Sequence, residues 1–335
     1  MLSFFLYIDK NFNAMKKFTF IFFISIFSLS AQTNKLADVD KIMYSYSNIN
    51  SIEELSKRID YDFKTDIEKV RAVFTWVSLN IKYEQKQPYL LEMPKSYLVF
   101  SDDDLKRRLK IENEKTLNNT FNKKEGICTG YAFLFHKICT LLNIENELIY
   151  GYVRRSINDI GYIPTSKNHV WNGVKIDDEW ILVDTTWAAG YVSDGVWQQK
   201  LNTNYFNINK EDLRLTHYPS KNDWLEHLGQ KPLKKFCYEP VRTTAFNRSK
   251  AELVLPNAGI IKTVKNKKFK LKIKNLKKGT QVLYRYGESK KVKSPFLKTE
   301  ELITSINIDG TNKNSLLHIY FDNNLALSYK IEVNK

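Results

Sequence analysis

Cysteine is scarce in this chain: Cys128, Cys139 and Cys237 are its whole supply among 335 residues. Three thiols are too few for a disulfide framework, and an odd number leaves at least one of them unpaired. Beyond the first thirty residues no stretch is long and apolar enough to cross a bilayer. No internal repeat and no low-complexity tract appears, which excludes a repeat array. Acidic side chains are outnumbered by basic ones, 37 to 52, for a formal charge of +15. No nucleic-acid-binding motif accompanies that surplus, so no nucleic-acid partner is expected.

What is present describes a folded protein. Hydrophobic residues make up 43% of the chain, a globular composition. The length allows one good-sized core plus a smaller module, or two modest domains. Lysines concentrate between Lys262 and Lys278. That concentration would suit an acidic partner, an anionic cell-surface polymer or a membrane surface; the plainer reading is a solvated lysine face.

The N-terminus reads as an export address. Lys16-Lys17 precedes an apolar run from Phe18 to Leu29, followed by Ser30-Ala31-Gln32. A positive start, about a dozen apolar residues and a small-residue cleavage zone form a secretory signal. Residues 1–31 are assigned to it, with Met15 as the expected true start, and no cysteine follows to carry a lipid anchor. The mature protein is expected outside the cytoplasm, periplasmic or secreted, with no transmembrane segment.

Along the rest of the chain, Ser51-Ile-Glu-Glu54 and Thr65-Asp-Ile-Glu68 read as capping boxes. The second opens a helix expected to reach about Tyr83, with two apolar stripes that imply burial on much of its circumference. Residues 84–122 read as a polar excursion, broken by a short helix near Asp103–Leu109. Cys128, Ala132, Phe135, Cys139 and Leu142 recur at helical spacing. Strand patterns follow at Glu147–Val153, His169–Ile176 and Trp180–Asp184, and Asn204–Trp224 reads as a surface wrap with a helix or two. Beyond Cys237, short alternating runs at Phe269–Ile273, Thr280–Tyr286, Leu302–Ile308, Leu316–Phe321 and Leu327–Val333 predict a small antiparallel β domain of sandwich type. The expected division is 32–236 and 237–335.

Three residues stand out chemically. Cys128 opens its helix, where free backbone N–H groups favour a thiolate. Its own N–H is a natural oxyanion donor. A buried structural cysteine is the alternative. If Asp177-Asp178 is a two-residue turn, Ile176 pairs with Glu179 and Trp171 with Asp184. His169 and Asp184 then become diagonal neighbours on one face, close enough for the carboxylate to orient the imidazole. A three-residue loop would separate them.

Gly126-Ile-Cys128-Thr-Gly-Tyr-Ala, His169-Val-Trp-Asn and Trp180-Ile-Leu-Val-Asp184-Thr-Thr-Trp187 together resemble the transglutaminase-like superfamily. The tail from Tyr205-Phe206 through His217-Tyr-Pro219 to Trp224 is similar to that of bacterial members related to the kyphoscoliosis peptidase. The resemblance spans roughly residues 50–228. It implies an α+β fold with a papain-like core, N-terminal helices packed on an antiparallel sheet, and Cys128, His169 and Asp184 as a catalytic triad. It further implies acyl transfer from protein or peptide amides through a thioester, ending in hydrolysis or in cross-linking to an amine, with hydrolysis slightly favoured. No calcium-loop spacing is visible, and no metal or cofactor is expected. The rival reading is a non-catalytic scaffold of the cell envelope that keeps the fold.

Other residues draw plainer expectations. Trp171, Trp180 and Trp187 are expected to wall the cleft or the core behind it. His136 lies about 80° round the helix from Cys128 and is expected on its flank. Cys139 is expected in the core, and His217 and His227 in loops or the surface wrap. The second oxyanion donor has no assignment beyond Tyr83 as a candidate.

Overall fold

The protein is described by a computed structural model covering residues 35–85, 101–287, 289 and 291–334. The expected export signal lies outside the described residues, as do residues 86–100 of the polar excursion. Elements run in chain order as helix α1 (35–44), then α2 (Ile52–Asp62), α3 (Asp66–Asn80), β1 (Lys82–Tyr83), α4 (Asp102–Lys123), β2 (Glu125–Gly126) and α5 (Cys128–Leu141). Next come β3 (Asn146–Val153), β4 (His169–Ile176), β5 (Glu179–Val183), α6 (Thr185–Ala189), β6 (Gly190–Ser193) and β7 (Val196–Gln199). The core closes with α7 (Lys210–Leu213), β8 (His217–Pro219), α8 (Asn222–Leu228) and α9 (Leu233–Tyr238).

Helix starts follow the chemistry of their caps. Ser51 Oγ accepts from Glu54 N–H at 3.0 Å, while the Glu54 carboxylate reaches past the cap to Asn50 N–H at 2.9 Å. At α3, Glu68 accepts from Thr65 N–H at 3.1 Å. Every residue of α3 from Val70 to Ser78 is buried, as two apolar stripes require. The helix nevertheless stops at Asn80, short of Tyr83. Lys82 and Tyr83 instead pair in parallel with Glu125 and Gly126, because an extended segment there gives the strand before Cys128 a partner.

The excursion is more ordered than its sequence suggests: the short helix expected at Asp103–Leu109 is the start of the 22-residue α4. Only Leu117, Thr120 and Phe121 of α4 are buried, so no apolar stripe announces it. Its supports are polar. Ser101 Oγ accepts from Asp104 N–H at 3.1 Å, three aspartates occupy the first turn, and Asp104 pairs with Arg107 and Arg108. Acids there offset the helix dipole. Thr120 then packs against the backbone at Gly126 and Gly130, which fixes how α5 begins.

Helix α5 lies against a four-stranded antiparallel sheet of order β5-β4-β3-β8. Asn172 Nδ2 on β4 donates to the Ala132 carbonyl of α5 at 3.1 Å. Asp177 and Asp178 have φ of 49° and 64°, and Ile176 pairs with Glu179. This is a two-residue hairpin of the type that suits twisted strands. Two strand expectations need correction. β5 ends at Val183, and the segment read as a surface wrap contributes β8 to the sheet, paired with β3 at Gly151–Val153.

The C-terminal region is built from β9 (Val241–Arg242), α10 (Thr244–Arg248), β10 (Glu252–Leu255), β11 (Ile260–Val264), β12 (Phe269–Lys274), β13 (Val282–Tyr286), β14 (Phe296–Glu300), β15 (Ile303–Ile308), β16 (Ser315–Phe321) and β17 (Asn324–Asn334). One sheet has the order β10-β12-β15-β14 and the other β11-β17-β16-β13. Leu271, Ile273, Ile306 and Ile308 from the first share a core with Leu317, Ile319, Leu327 and Tyr329 from the second. All these strands are antiparallel except β11, which runs parallel to β17. The two regions are stitched together. Arg154, just after β3, donates to the carbonyls of Phe236 and Glu239, and Lys330 on β17 donates to those of Asn158 and Ile160. Among the described residues no helix is long and apolar enough to cross a membrane.

A methyl group at Gly130 would stand 2.2 Å from Thr120 Oγ1 and 3.0 Å from its Cγ2. Gly130→Ala should therefore destabilise the protein by about 1–3 kcal/mol through overpacking. Adding Thr120→Ala should recover much of the loss. Thermal melts of the two variants check this, and a Gly130→Ala chain that melts like wild type would refute it.

Candidate active site

Each predicted site residue sits at an element boundary. Cys128 is the first residue of α5, and Ile127 at the cap has no side-chain oxygen to offer the first-turn N–H groups. His169 opens β4 opposite Gly151, where a Cβ would meet the Tyr218 carbonyl at 2.2 Å and the Trp171 ring at 2.9 Å. Asp184 follows β5. It leaves the ladder, where the sequence placed it opposite Trp171, because it caps α6: its Oδ1 accepts from Trp187 N–H at 3.0 Å. Its own N–H donates to the Tyr205 carbonyl.

The three side chains converge. His169 Nε2 lies 2.7 Å from Asp184 Oδ2, and the imidazole lines one cleft with the Cys128 thiol, whose sulfur also helps to raise its pKa. With Nε2 directed at the carboxylate, Nδ1 is the nitrogen left for sulfur. Cys128 is 5% exposed, His169 4% and Asp184 0%. Burial by itself would lower the pKa of His169. The charge and hydrogen bond of Asp184, with the Cys128 contact, outweigh it and raise the pKa to about 10. Burial pushes the Asp184 carboxyl up, but His169 and then His217 hold it well below the usual carboxylate range. The pair thus favours carboxylate and imidazolium.

His217 corrects the expectation of a loop or wrap histidine. It is fully buried on β8, and its Nε2 lies 3.1 Å from the same Asp184 Oδ2. Its ring meets those of Trp187 and Trp171 with centroids 4.6 and 4.9 Å apart. The available signal was the alternation of His217-Tyr-Pro219 with its neighbours, too short a run to read as a strand. The tryptophans divide their work. Trp171 is buried beneath the imidazoles, Trp187 faces the cleft, and Trp180 packs on Trp224 at 5.1 Å. His136 bonds Asn146 on the helix flank, and Cys139 is wholly buried, its thiol pKa pushed up by burial. Neither joins the site.

Cys128 and His169 open onto a cleft of about 300 Å³, which Tyr83, Arg155, Trp187 and Trp197 help to line. Tyr83 stacks on Trp197 at 5.6 Å. The candidate oxyanion tyrosine therefore stands in the same cleft as the sulfur. His169, Asp184 and His217 place ligand atoms within 4.8 Å of one another, a spacing that a metal ion could share. As the side chains stand, both Nε2 atoms are engaged in hydrogen bonds to Asp184.

A thiol at a helix start, with the imidazole on the sheet it packs against and the carboxylate just past the end of β5, defines a papain-like core of transglutaminase type. Residues 53–185 match the family model described as the Transglutaminase-like superfamily, and this region is a transglutaminase-like domain. The match includes Cys128, His169 and Asp184 but ends before His217. The human kyphoscoliosis peptidase is 23% identical over 246 residues, 72% of this chain and 34% of that protein. Hillarin of Drosophila melanogaster is 21% identical over 225 residues, 60% of this chain and 24% of that protein. A crystal structure of a TGase aligns with TM-score 0.26 at 14% identity, covering 49% of this chain and 40% of that one. The chain thus spans about a third of the peptidase's length and a quarter of Hillarin's.

The raised His169 pKa carries a stability signature. Its contribution is fully present below the unfolded value near 6.5 and is lost as pH rises toward about 10, since the folded state holds the proton more tightly. The melting-temperature gap between wild type and His169→Gln should therefore narrow from pH 6.5 to pH 10. A gap of constant size would rule out the imidazolium–carboxylate pair.

Proposed function

We propose that this chain is an exported thiol acyl-transfer enzyme acting on protein or peptide amides. The observation that carries the reading is the buried sulfur–imidazole–carboxylate array at one wall of an open cleft. Cys128 sulfur attacks the amide carbonyl carbon, and the C=O pair moves onto oxygen, where the Cys128 N–H would meet it. Collapse of this intermediate breaks the C–N bond, and His169 gives its proton to the departing amine. The resulting thioester is attacked by water that His169 deprotonates; this releases a carboxylic acid and restores the thiol. An amine in place of water would instead form a new amide. Asp184 keeps the imidazole oriented and offsets its charge throughout.

Hydrolysis is the favoured outcome, since no carboxylate stands among the described lining residues to recruit a lysine amine. The pattern of residues 16–31 supports action outside the cytoplasm.

Cys128→Ala removes little volume and should leave the melt within about 1.5 kcal/mol of wild type, while abolishing turnover of a peptide library. In wild type, iodoacetamide should modify Cys128 at neutral pH far faster than free cysteine, and His169→Ala should remove that advantage. Running the library with and without a primary amine separates acid products from amine adducts. Alkylation no faster than that of free cysteine, with no product in either run, would leave the scaffold reading instead.

A further inference from the structure

Asp184 Oδ2 serves two histidines at once, His169 at 2.7 Å and His217 at 3.1 Å. The second ring is not a bystander held by packing alone. Its Nδ1 lies 2.8 Å from the Thr216 hydroxyl, and its backbone carbonyl accepts from Gln230 Nε2 at 2.6 Å. Strand pairing of His217 with Val153 fixes its backbone. A hydroxyl donating to Nδ1 leaves the ring proton on Nε2, aimed at the carboxylate. Burial disfavours a charge on this ring, as does the neighbouring His169.

We propose that His217 is a positioning residue for the thiol chemistry. Its neutral Nε2–H pins the Asp184 carboxylate in one orientation and, by sharing Oδ2, limits how tightly that oxygen grips the His169 proton. The inference rests on the proposed thiol mechanism, in which His169 must both take up and release a proton. A carboxylate oxygen with two donors places less electron density on each bond than one with a single donor. The third donor, Trp187 N–H on Oδ1, closes the other side. Asp184 is thereby left with one rotamer rather than several.

The test uses the full chain. In wild type at pH 7, nitrogen–proton NMR correlations of the imidazoles should show His217 neutral with its proton on Nε2. A proton on Nδ1 would overturn the proposal without any variant being made. In His217→Phe, the His169 Nε2–H resonance should move downfield, because its oxygen is no longer shared. Turnover should fall about tenfold in kcat with KM little changed. His217→Gln retains an N–H donor and should restore the resonance and most of kcat. An unmoved His169 resonance in both variants would reduce His217 to a packing residue, whatever the activity. Loss of the His169-dependent alkylation advantage in wild type itself would instead sink the thiol mechanism, while the NMR result still decides whether His217 holds Asp184.

Discussion

A carboxylate removed from water must find all its compensation within the protein, and Asp184 is fully buried. An unpaired charge in such a place costs more than the whole net stability of a typical domain. Much of the local architecture answers that demand. The short helix after β5 supplies the Trp187 N–H, β4 supplies one imidazole and β8 supplies another. Three separate elements are therefore committed to one side chain. The same commitments place His169 beside the sulfur.

The helical half provides rigidity in a complementary way. Helix α3 is enclosed on all sides, and α5 is sandwiched between it and the sheet. The start of α5 is constrained twice, by β2 pairing with β1 on one side and by Thr120 of α4 on the other. A thiol at the first turn of such a helix has little freedom to drift. For the proposed mechanism that matters, because reaction geometry tolerates only small displacements.

The parts of this arrangement that were legible in the sequence were those governed by local rules. Two adjacent aspartates with positive φ make the tight hairpin that their composition suggests, and the spacing on either side brings His169 and Asp184 together. Capping chemistry marked the starts of α2 and α3. Alternation located five strands of the sandwich. The unread parts depend on partners remote in sequence. Helix α4 has polar residues nearly all round and shows its role only where Thr120 meets α5. Strand β8 is three residues long and exists because β3 has an open edge. The end of α3 at Asn80 is set by β2, more than forty residues later. His217 was hidden for the same reason, since its significance lies in a carboxylate thirty-three residues before it.

The segment from residue 154 to 168 joins β3 to β4, and it carries Arg155 and Asn168 to the cleft. Its backbone is also gripped by Lys330 from the far end of the chain, while neighbouring Arg154 holds the carbonyls of Phe236 and Glu239. Mechanically, this makes the segment a strut shared by the sandwich and the rim of the cleft. A pull on strand β17 would therefore be passed through the Lys330 ammonium directly to the rim of the cleft, at the carbonyls of Asn158 and Ile160.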